Sequence, residues 1–135
     1  MKDLNLTITR ALTSADGSVT STDFDLGAVS TGGRAGSSTR NVELVVELPA
    51  LASSELNTAD TLTITVQTGD SATPTTSANL VAVVTGTGSA IAAQTLKFRL
   101  PPTVGQYVNV KFTTAGTTGD MSAKSATISL RPKLY

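Results

Sequence analysis

The sequence predicts an all-β fold: an antiparallel β-sandwich, specifically a jelly roll of about eight strands, formed by a single domain over residues 1–135. Three features support this prediction: abundant threonine, apolar residues at every second position, and glycine-rich turns between these segments. The chain contains 24 Thr and 14 Ser. Because threonine is β-branched and carries a hydroxyl group, it suits a pleated strand with one face in water. A chain of this length can bury one core.

Six segments alternate apolar with polar residues, as expected of strands with one buried face. Their apolar positions are Leu4, Leu6 and Ile8; Val42, Leu44, Val46 and Leu48; Leu62, Ile64 and Val66; Leu96, Phe98 and Leu100; Val108, Val110 and Phe112; and Ala126, Ile128 and Leu130. Residues 21–26 are a less regular candidate for a short strand. The run 80–85 is almost continuously apolar, which is typical of a strand covered on both faces.

Clusters of glycine, proline and aspartate separate these strands and predict turns. They are Asp16-Gly17, residues 30–39, Gly69-Asp70, residues 86–88, Pro101-Pro102 and residues 116–120. The segment 30–39 has no apolar side chain larger than alanine, so we expect a mobile loop that becomes ordered on contact with a partner. Residues 51–56 predict one helical turn.

The residue types exclude several classes of function. Without Cys or His, the chain lacks disulfides, thiolate metal ligands and the commonest catalytic groups, so we expect no enzyme activity, catalytic residue, cofactor or metal site. Ten basic and ten acidic residues cancel, which disfavours nucleic acid and anionic membranes as partners. The first residues alternate instead of forming the apolar run of a secretory signal, so we expect synthesis in a cytoplasm.

Two glutamates offer an alternative reading as a glycosidase pair. Glu43 and Glu47 lie on the same face of one predicted strand, four residues and therefore roughly 13 Å apart. This spacing exceeds the separation of about 5 to 9.5 Å that glycoside hydrolysis needs. The two side chains are better explained as solvated, or as paired across strands with Lys97 or Arg99.

Three aspartates offer an alternative reading as a calcium site. Asp23 and Asp25 project from the same side of their predicted strand, and Asp16 precedes them by a few residues. Calcium prefers such oxygen ligands, but the fragment Asp16-Gly17-Ser18 lacks the distal glutamate of a calcium-binding loop. A plain β-turn at Asp16-Gly17 explains the sequence better.

Hydroxyl and aromatic side chains suggest possible binding surfaces. Thr61, Thr63 and Thr65 form a row that is similar to the threonine ladders of ice-binding surfaces, but a single row is better explained as a solvated strand face. Sugar binding usually uses exposed aromatic rings, and Tyr107 and Tyr135 are the tyrosines of this chain. A carbohydrate-binding surface is therefore disfavoured but stays open.

Residues 131–135 are predicted to form a C-terminal tail that lies along a neighbouring subunit. Arg131, Lys133 and Tyr135 give this tail two cations and an aromatic tip around a rigid proline. Arg34 in the predicted mobile loop is a fourth candidate partner contact. A frayed tail without a partner is the competing interpretation.

The most specific pattern in the chain is an ordered series of segments. They are Ala15-Asp16-Gly17 followed by Asp23-Phe24-Asp25-Leu26-Gly27, then Thr61-Leu62-Thr63-Ile64-Thr65-Val66-Gln67, then Leu100-Pro101 with residues 105–116, and finally Ser125-Ala126-Thr127-Ile128-Ser129-Leu130. In the C-terminal part, Gly105-Gln106-Tyr107 opens an alternating strand, a glycine-containing loop follows, and an alanine-containing strand ends the series. Taken in order, these segments resemble the small cement, or decoration, proteins of tailed bacteriophage heads.

The resemblance implies a structural protein with a jelly-roll fold and no catalytic residues. Such a protein is made in the host cytoplasm, joins the virion on the outer capsid surface, and stabilises the head by bridging subunits of the major capsid protein. Its expected partners are the major capsid protein and itself, as a homodimer or homotrimer. The alternative hypothesis, based on the loop-rich and hydroxyl-bearing surface, is a receptor- or glycan-binding β-sandwich module of a phage tail or an adhesin.

Overall fold

The computed structural model describes residues 6–13, 17–25, 42–100, 105–116 and 120–132. Within these ranges the chain forms nine β-strands. They are β1 (Leu6–Ala11), β2 (Gly17–Thr20), β3 (Phe24–Asp25), β4 (Val42–Leu48), β5 (Thr61–Gly69), β6 (Thr76–Thr85), β7 (Gln94–Arg99), β8 (Tyr107–Ala115) and β9 (Ser125–Pro132). No helix in the described ranges has the length and apolarity that crossing a membrane requires. The predicted mobile loop 30–39 lies outside the described residues.

The strands form two antiparallel sheets. Sheet A has the order β1-β9-β4-β7, and sheet B has the order β2-β8-β5-β6, with β3 also pairing with β8. Strands β2 and β3 pair with different parts of the same edge of β8, so together they occupy one strand position. Eight positions result, and the chain repeatedly crosses between the sheets, as it does in a jelly roll. The predicted antiparallel sandwich is therefore confirmed.

The core lies between the inward faces of the two sheets. Side chains at every second position of β4, β5, β8 and β9 are buried there, which confirms the period-two pattern. The fully buried side chains at these positions are Leu44, Val46, Leu62, Ile64, Val66, Val108, Val110, Phe112, Ala126, Ile128 and Leu130. Phe24, Leu56, Leu100 and Met121 add further buried apolar groups. The alternation thus correctly identifies which side of each strand faces the core.

Strand β6 corrects one sequence-based prediction. The apolar run 80–85 is not covered on both faces, because Val81 and Val83 are 52% and 57% exposed. Val84 faces inward and is buried, while β6 is the last strand of sheet B and pairs with β5. A run of apolar residues looks the same in sequence whether a second layer covers its outer face or not. The exposed valines are therefore a surface feature.

The segment after β1 also differs from the prediction. Gly17 begins strand β2, and Asp16 lies outside the described residues, so the turn at Asp16-Gly17 stays a prediction. Within the described part of the predicted strand 21–26, only Phe24 and Asp25 form a strand. The interruption lies at Ser21, whose hydroxyl accepts the backbone N–H of Val110 at 3.0 Å. A strand would use a backbone carbonyl for this amide, so the serine side chain replaces part of the ladder. The interruption opens space on the outer face of β8.

Two further predictions can be compared with the described residues. The helical turn in 51–56 is present as one turn, in which Leu56 donates its N–H to the carbonyl of Ala52 at 3.2 Å. Strand β9 continues through Arg131 and Pro132, so the first two residues of the predicted tail belong to sheet A. Residues 133–135 lie outside the described ranges.

Candidate functional site

The outward face of sheet A differs in charge from the outward positions of β5 and β6 in sheet B. The outer face of sheet A carries several ionised side chains, because the outward positions of β4, β7 and β9 include acidic and basic residues. These are Glu43, Glu47, Lys97, Arg99 and Arg131. By contrast, β5 and β6 contain no charged residue over Thr61–Gly69 and Thr76–Thr85. The two faces therefore favour different kinds of contact.

The outward positions of β5 and β6 form what we call the uncharged face. It consists of Thr61, Thr63, Thr65, Val81, Val83 and Thr85. In the register of the two strands, Val81 lies opposite Thr65 and Val83 lies opposite Thr63. The threonines contribute methyl and hydroxyl groups, and the valines contribute apolar surface. No described strand pairs with the free edge of β6.

A groove with a volume of about 500 Å³ lies on the outer side of sheet B, next to the uncharged face. It is bounded by the linker 20–23, the loop 73–75 and the outer face of β8. Gln67 of β5 and Asn109 of β8 lie opposite each other in the strand register and line it. They are only 7% and 2% exposed. The groove is thus lined in part by two buried amide groups.

Hydrogen bonds hold the wall of this groove against the sheet. The Asp23 carboxylate accepts the N–H of Thr73 at Oδ2 (2.6 Å) and the amide of Asn109 at Oδ1 (3.1 Å). The Asn109 amide also donates to the carbonyl of Pro74 at 3.2 Å, and Gln67 Nε2 donates to the carbonyl of Thr75 at 3.2 Å. Thr73 has a φ of 54°, in the left-handed region that side chains with a branched Cβ disfavour. These bonds stabilise an uncommon backbone conformation beside the groove.

Two groups at the groove lack partners within the described part of the chain. Asn109 Oδ1 is buried and accepts no hydrogen bond there. Lys111 takes part in neither of the two ion pairs found there, which join Lys124 to Glu55 and Arg131 to Glu47. The groove therefore offers an unused acceptor and a positive charge.

Of the four predicted partner contacts, Arg131 lies in the described part of the chain. Arg34, Lys133 and Tyr135 lie outside the described residues. Arg131 lies on the outer face of sheet A, where its guanidinium is 3.5 Å from Glu47 Oε1 and both side chains are about half exposed. Glu47 is thus half exposed and pairs with Arg131 of β9, while Glu43 lies opposite Arg99 in the register of β4 and β7. An exposed pair of this kind contributes about 1 kcal/mol or less.

The aspartates of the alternative calcium reading have other partners. Asp23 binds the groove wall, and Asp25 Oδ1 accepts the side-chain amide of Gln106 at 3.0 Å. Asp16 lies outside the described residues. In the described ranges no three acidic residues lie close enough to hold a metal ion. Asp23 therefore serves to position the loop 73–75.

Sequence reasoning missed the groove residues. Asn109 and Lys111 occupy ordinary outward positions of an alternating strand, and Gln67 lies near the end of another. One signal was present: asparagine is depleted in strands, so Asn109 in the middle of β8 is unusual. Its buried state follows from the loop 73–75, which is more than 30 residues away in sequence and folds over it.

Comparisons with known proteins give distant similarities. No protein-family model matches the chain, and no curated protein matches it. Among solved structures, a chain of the broad bean stain virus structure is 13% identical with a TM-score of 0.47, and the match covers 96% of this chain and 84% of that one. A chain solved in a study of CBM4 structure and function is 10% identical with a TM-score of 0.33, covering 96% of this chain and 61% of that one. Similarities at this level assign neither a family nor a function.

Proposed function

We propose that this chain is a non-enzymatic decoration protein of a tailed-bacteriophage capsid. It binds the outer surface of the shell and stabilises the head by bridging subunits of the major capsid protein. The observation that carries this proposal is the uncharged face, on which Val81 and Val83 are more than half exposed. The ordered segments of the sequence that resemble cement proteins support the same conclusion.

The uncharged face suits contact with another protein for a physical reason. Exposed valines release free energy when they are removed from water, at roughly 25 cal/mol for each Å² of apolar surface. Neighbouring threonine hydroxyls can form hydrogen bonds with a partner, and no ion has to be desolvated on β5 or β6. The face can therefore adhere to a protein surface without the cost of burying charge.

Repetition on a capsid strengthens a modest contact. As a homodimer or homotrimer, this chain would present two or three copies of its uncharged face to neighbouring capsid subunits. When one copy is bound, the others bind at a high effective concentration, and the combined affinity exceeds that of a single face by orders of magnitude. Bridging then stabilises the shell without any chemical reaction.

Replacing both exposed valines with lysine, as Val81→Lys/Val83→Lys, is expected to abolish tight binding to heads. Loss of two half-exposed apolar contacts, together with desolvation of two new charges, weakens a single contact by about 2 to 3 kcal/mol, or roughly 30- to 150-fold. Cosedimentation with heads that lack this chain measures the dissociation constant. The fold is expected to persist, because lysine is well tolerated on exposed edge strands.

The matched control is Thr9→Lys/Thr95→Lys, which adds the same two charges to exposed positions on the outer face of sheet A. This control is expected to bind heads within about threefold of the unchanged protein, since a factor of three corresponds to less than 1 kcal/mol. If the valine variant and the control bound heads with equal affinity, the uncharged face would not be part of the contact with the capsid.

Electron cryo-microscopy of mature heads tests the proposal as a whole. We expect density for this chain on the outside of the shell, in contact with more than one capsid subunit. Density confined to the tail, or heads of unchanged composition and stability when the chain is deleted, would rule out a decoration role.

A further inference from the structure

We propose that the groove on sheet B is a binding site for a short saccharide that carries an acidic group. None of the residues of the uncharged face lines this groove. The inference therefore does not depend on the proposed binding to a capsid. It rests on an unsatisfied amide oxygen, on the Lys111 ammonium group that forms no ion pair within the described ranges, and on the size and lining of the groove.

The buried amide of Asn109 indicates a hydrogen-bond donor from outside the protein. Its Nδ2 group donates to Asp23 and to the Pro74 carbonyl, which fixes the orientation of the amide. Its Oδ1 atom is buried with no partner among the described residues. Buried polar groups in folded proteins nearly always have partners, because an unmet one is costly. A ligand hydroxyl that reaches Oδ1 through a small movement of the groove wall would meet this need.

The groove is lined by one acidic and one basic residue, Asp23 and Lys111, which differ in what they have available for a ligand. Both oxygens of Asp23 already accept hydrogen bonds from the protein, one from Thr73 and one from Asn109. Lys111 lines the same groove and forms no ion pair within the described ranges. A carboxylate on the ligand would pair with the Lys111 ammonium group through a charge-assisted hydrogen bond.

The remaining lining favours a polyhydroxylated molecule. A volume of about 500 Å³ lies within the range of small-molecule sites. Thr20, Thr22 and Thr75 line the groove with hydroxyl groups that both donate and accept, as sugar hydroxyls do. Pro74 also lines the groove but is itself buried, so the side chains that a ligand meets belong mainly to polar residues.

A peptide fits this groove less well. Peptides bind sheets mainly by adding a strand to a free edge, which provides unpaired backbone groups. Most of the strand residues that line the groove belong to interior strands: β8 pairs with β5 on one side and with β2 and β3 on the other, and β5 pairs with both β6 and β8. The edge strand β2 contributes only its last residue, Thr20. Recognition in the groove must therefore use side chains.

The groove is expected to bind D-glucuronic acid or N-acetylneuraminic acid better than an uncharged sugar. In a titration of the ¹⁵N-labelled full chain followed by NMR, the Asn109 side-chain amide and the backbone amides of Lys111, Thr73 and Thr75 should shift. D-glucose should bind at least about tenfold more weakly, because it lacks the carboxylate that pairs with Lys111. Acetate should also bind at least about tenfold more weakly, because it lacks the hydroxyl groups.

Two substitutions with matched controls test the assignment. Lys111→Met is expected to weaken binding of the acidic sugar at least about tenfold, whereas Lys97→Met on the outer face of sheet A leaves it unchanged. Thr20→Val removes one wall hydroxyl at nearly constant volume and is expected to weaken binding about three- to tenfold. The control Thr63→Val lies on the same side of sheet B, outside the groove.

Several results would overturn the inference. Absence of shifts with both acidic sugars would exclude the site, and equal binding of acetate would reduce it to a simple anion contact. Protection of the groove amides on binding to heads, without any response to sugars, would make it part of a protein interface. The variant Val81→Lys/Val83→Lys should bind sugars normally, so failure of head binding and failure of sugar binding can be told apart.

Discussion

The variant Phe112→Ala is expected to lose about 3 to 5 kcal/mol of its free energy of unfolding. Phe112 is fully buried in β8, where it lies opposite Ile64 of β5 and Val19 of β2. The whole chain contains only three Phe and no Trp, so few large side chains are available to fill the space that the ring leaves. Small domains have unfolding free energies of about 5 to 15 kcal/mol, and this loss is a large part of that.

Urea unfolding followed by circular dichroism measures the change. The control is Thr113→Ala, at the neighbouring outward position of the same strand, which removes a partly exposed side chain. We expect this control to lose less than about 1 kcal/mol, with the same dependence on urea concentration. If both variants lost a similar amount of unfolding free energy, the inward face of β8 would contribute no more to stability than its outward face.

The second large effect is expected for Gly86→Ala, with a loss of about 3 kcal/mol or more. Gly86 follows β6 and is held against the turn before β5, because its N–H donates to the carbonyl of Asp60 at 2.8 Å and its carbonyl accepts the N–H of Ala59 at 3.0 Å. A Cβ atom at this position would overlap the backbone carbonyls of Asn57 and Leu56. Backbone atoms cannot rotate away as a side chain does, so both segments would have to move apart.

A thermal melt is expected to show a midpoint roughly 10 to 15 °C lower for Gly86→Ala. The matched control is Gly17→Ala at the start of β2, where no atom lies within 4 Å of the position that a Cβ would take. The control should stay within about 1 kcal/mol of the unchanged protein, since alanine also reduces the freedom of the unfolded chain. If both variants melt together, close backbone packing at Gly86 does not limit stability.

Much of the fold can be predicted from the sequence because the relevant signal is local. Strands β4, β5, β8 and β9 each have an apolar residue at every second position, and the direction of a side chain alternates along any extended segment whatever it pairs with. The inward residues of these strands are therefore correctly identified. Strand β2 is missed, because Gly17-Ser18-Val19-Thr20 contains one apolar residue and is recognisable only from its pairing with the distant strand β8, where Thr114 also bonds to Gly17.

The candidate site could not be predicted in the same way. Asp23 forms hydrogen bonds with both Thr73 and Asn109, although these residues follow it by 50 and 86 positions in the sequence. Each is unremarkable in its own segment, and only the folding of loop 73–75 onto β8 buries the asparagine. The ion pair between Arg131 and Glu47 could not be predicted either, because it depends on the pairing of β4 with β9.

The amino-acid sequence by itself determined the class of the fold, the inward face of each regular strand and the absence of the usual catalytic residue types. These properties follow from composition and from a two-residue period that is set by the geometry of the extended backbone. Only the tertiary structure decided that β6 ends a sheet with its valines in solvent and that Asn109 lies buried beside a groove. Both outcomes depend on which distant strands and loops become neighbours. Local sequence does not contain this information, because an apolar run or a polar residue looks the same in either environment.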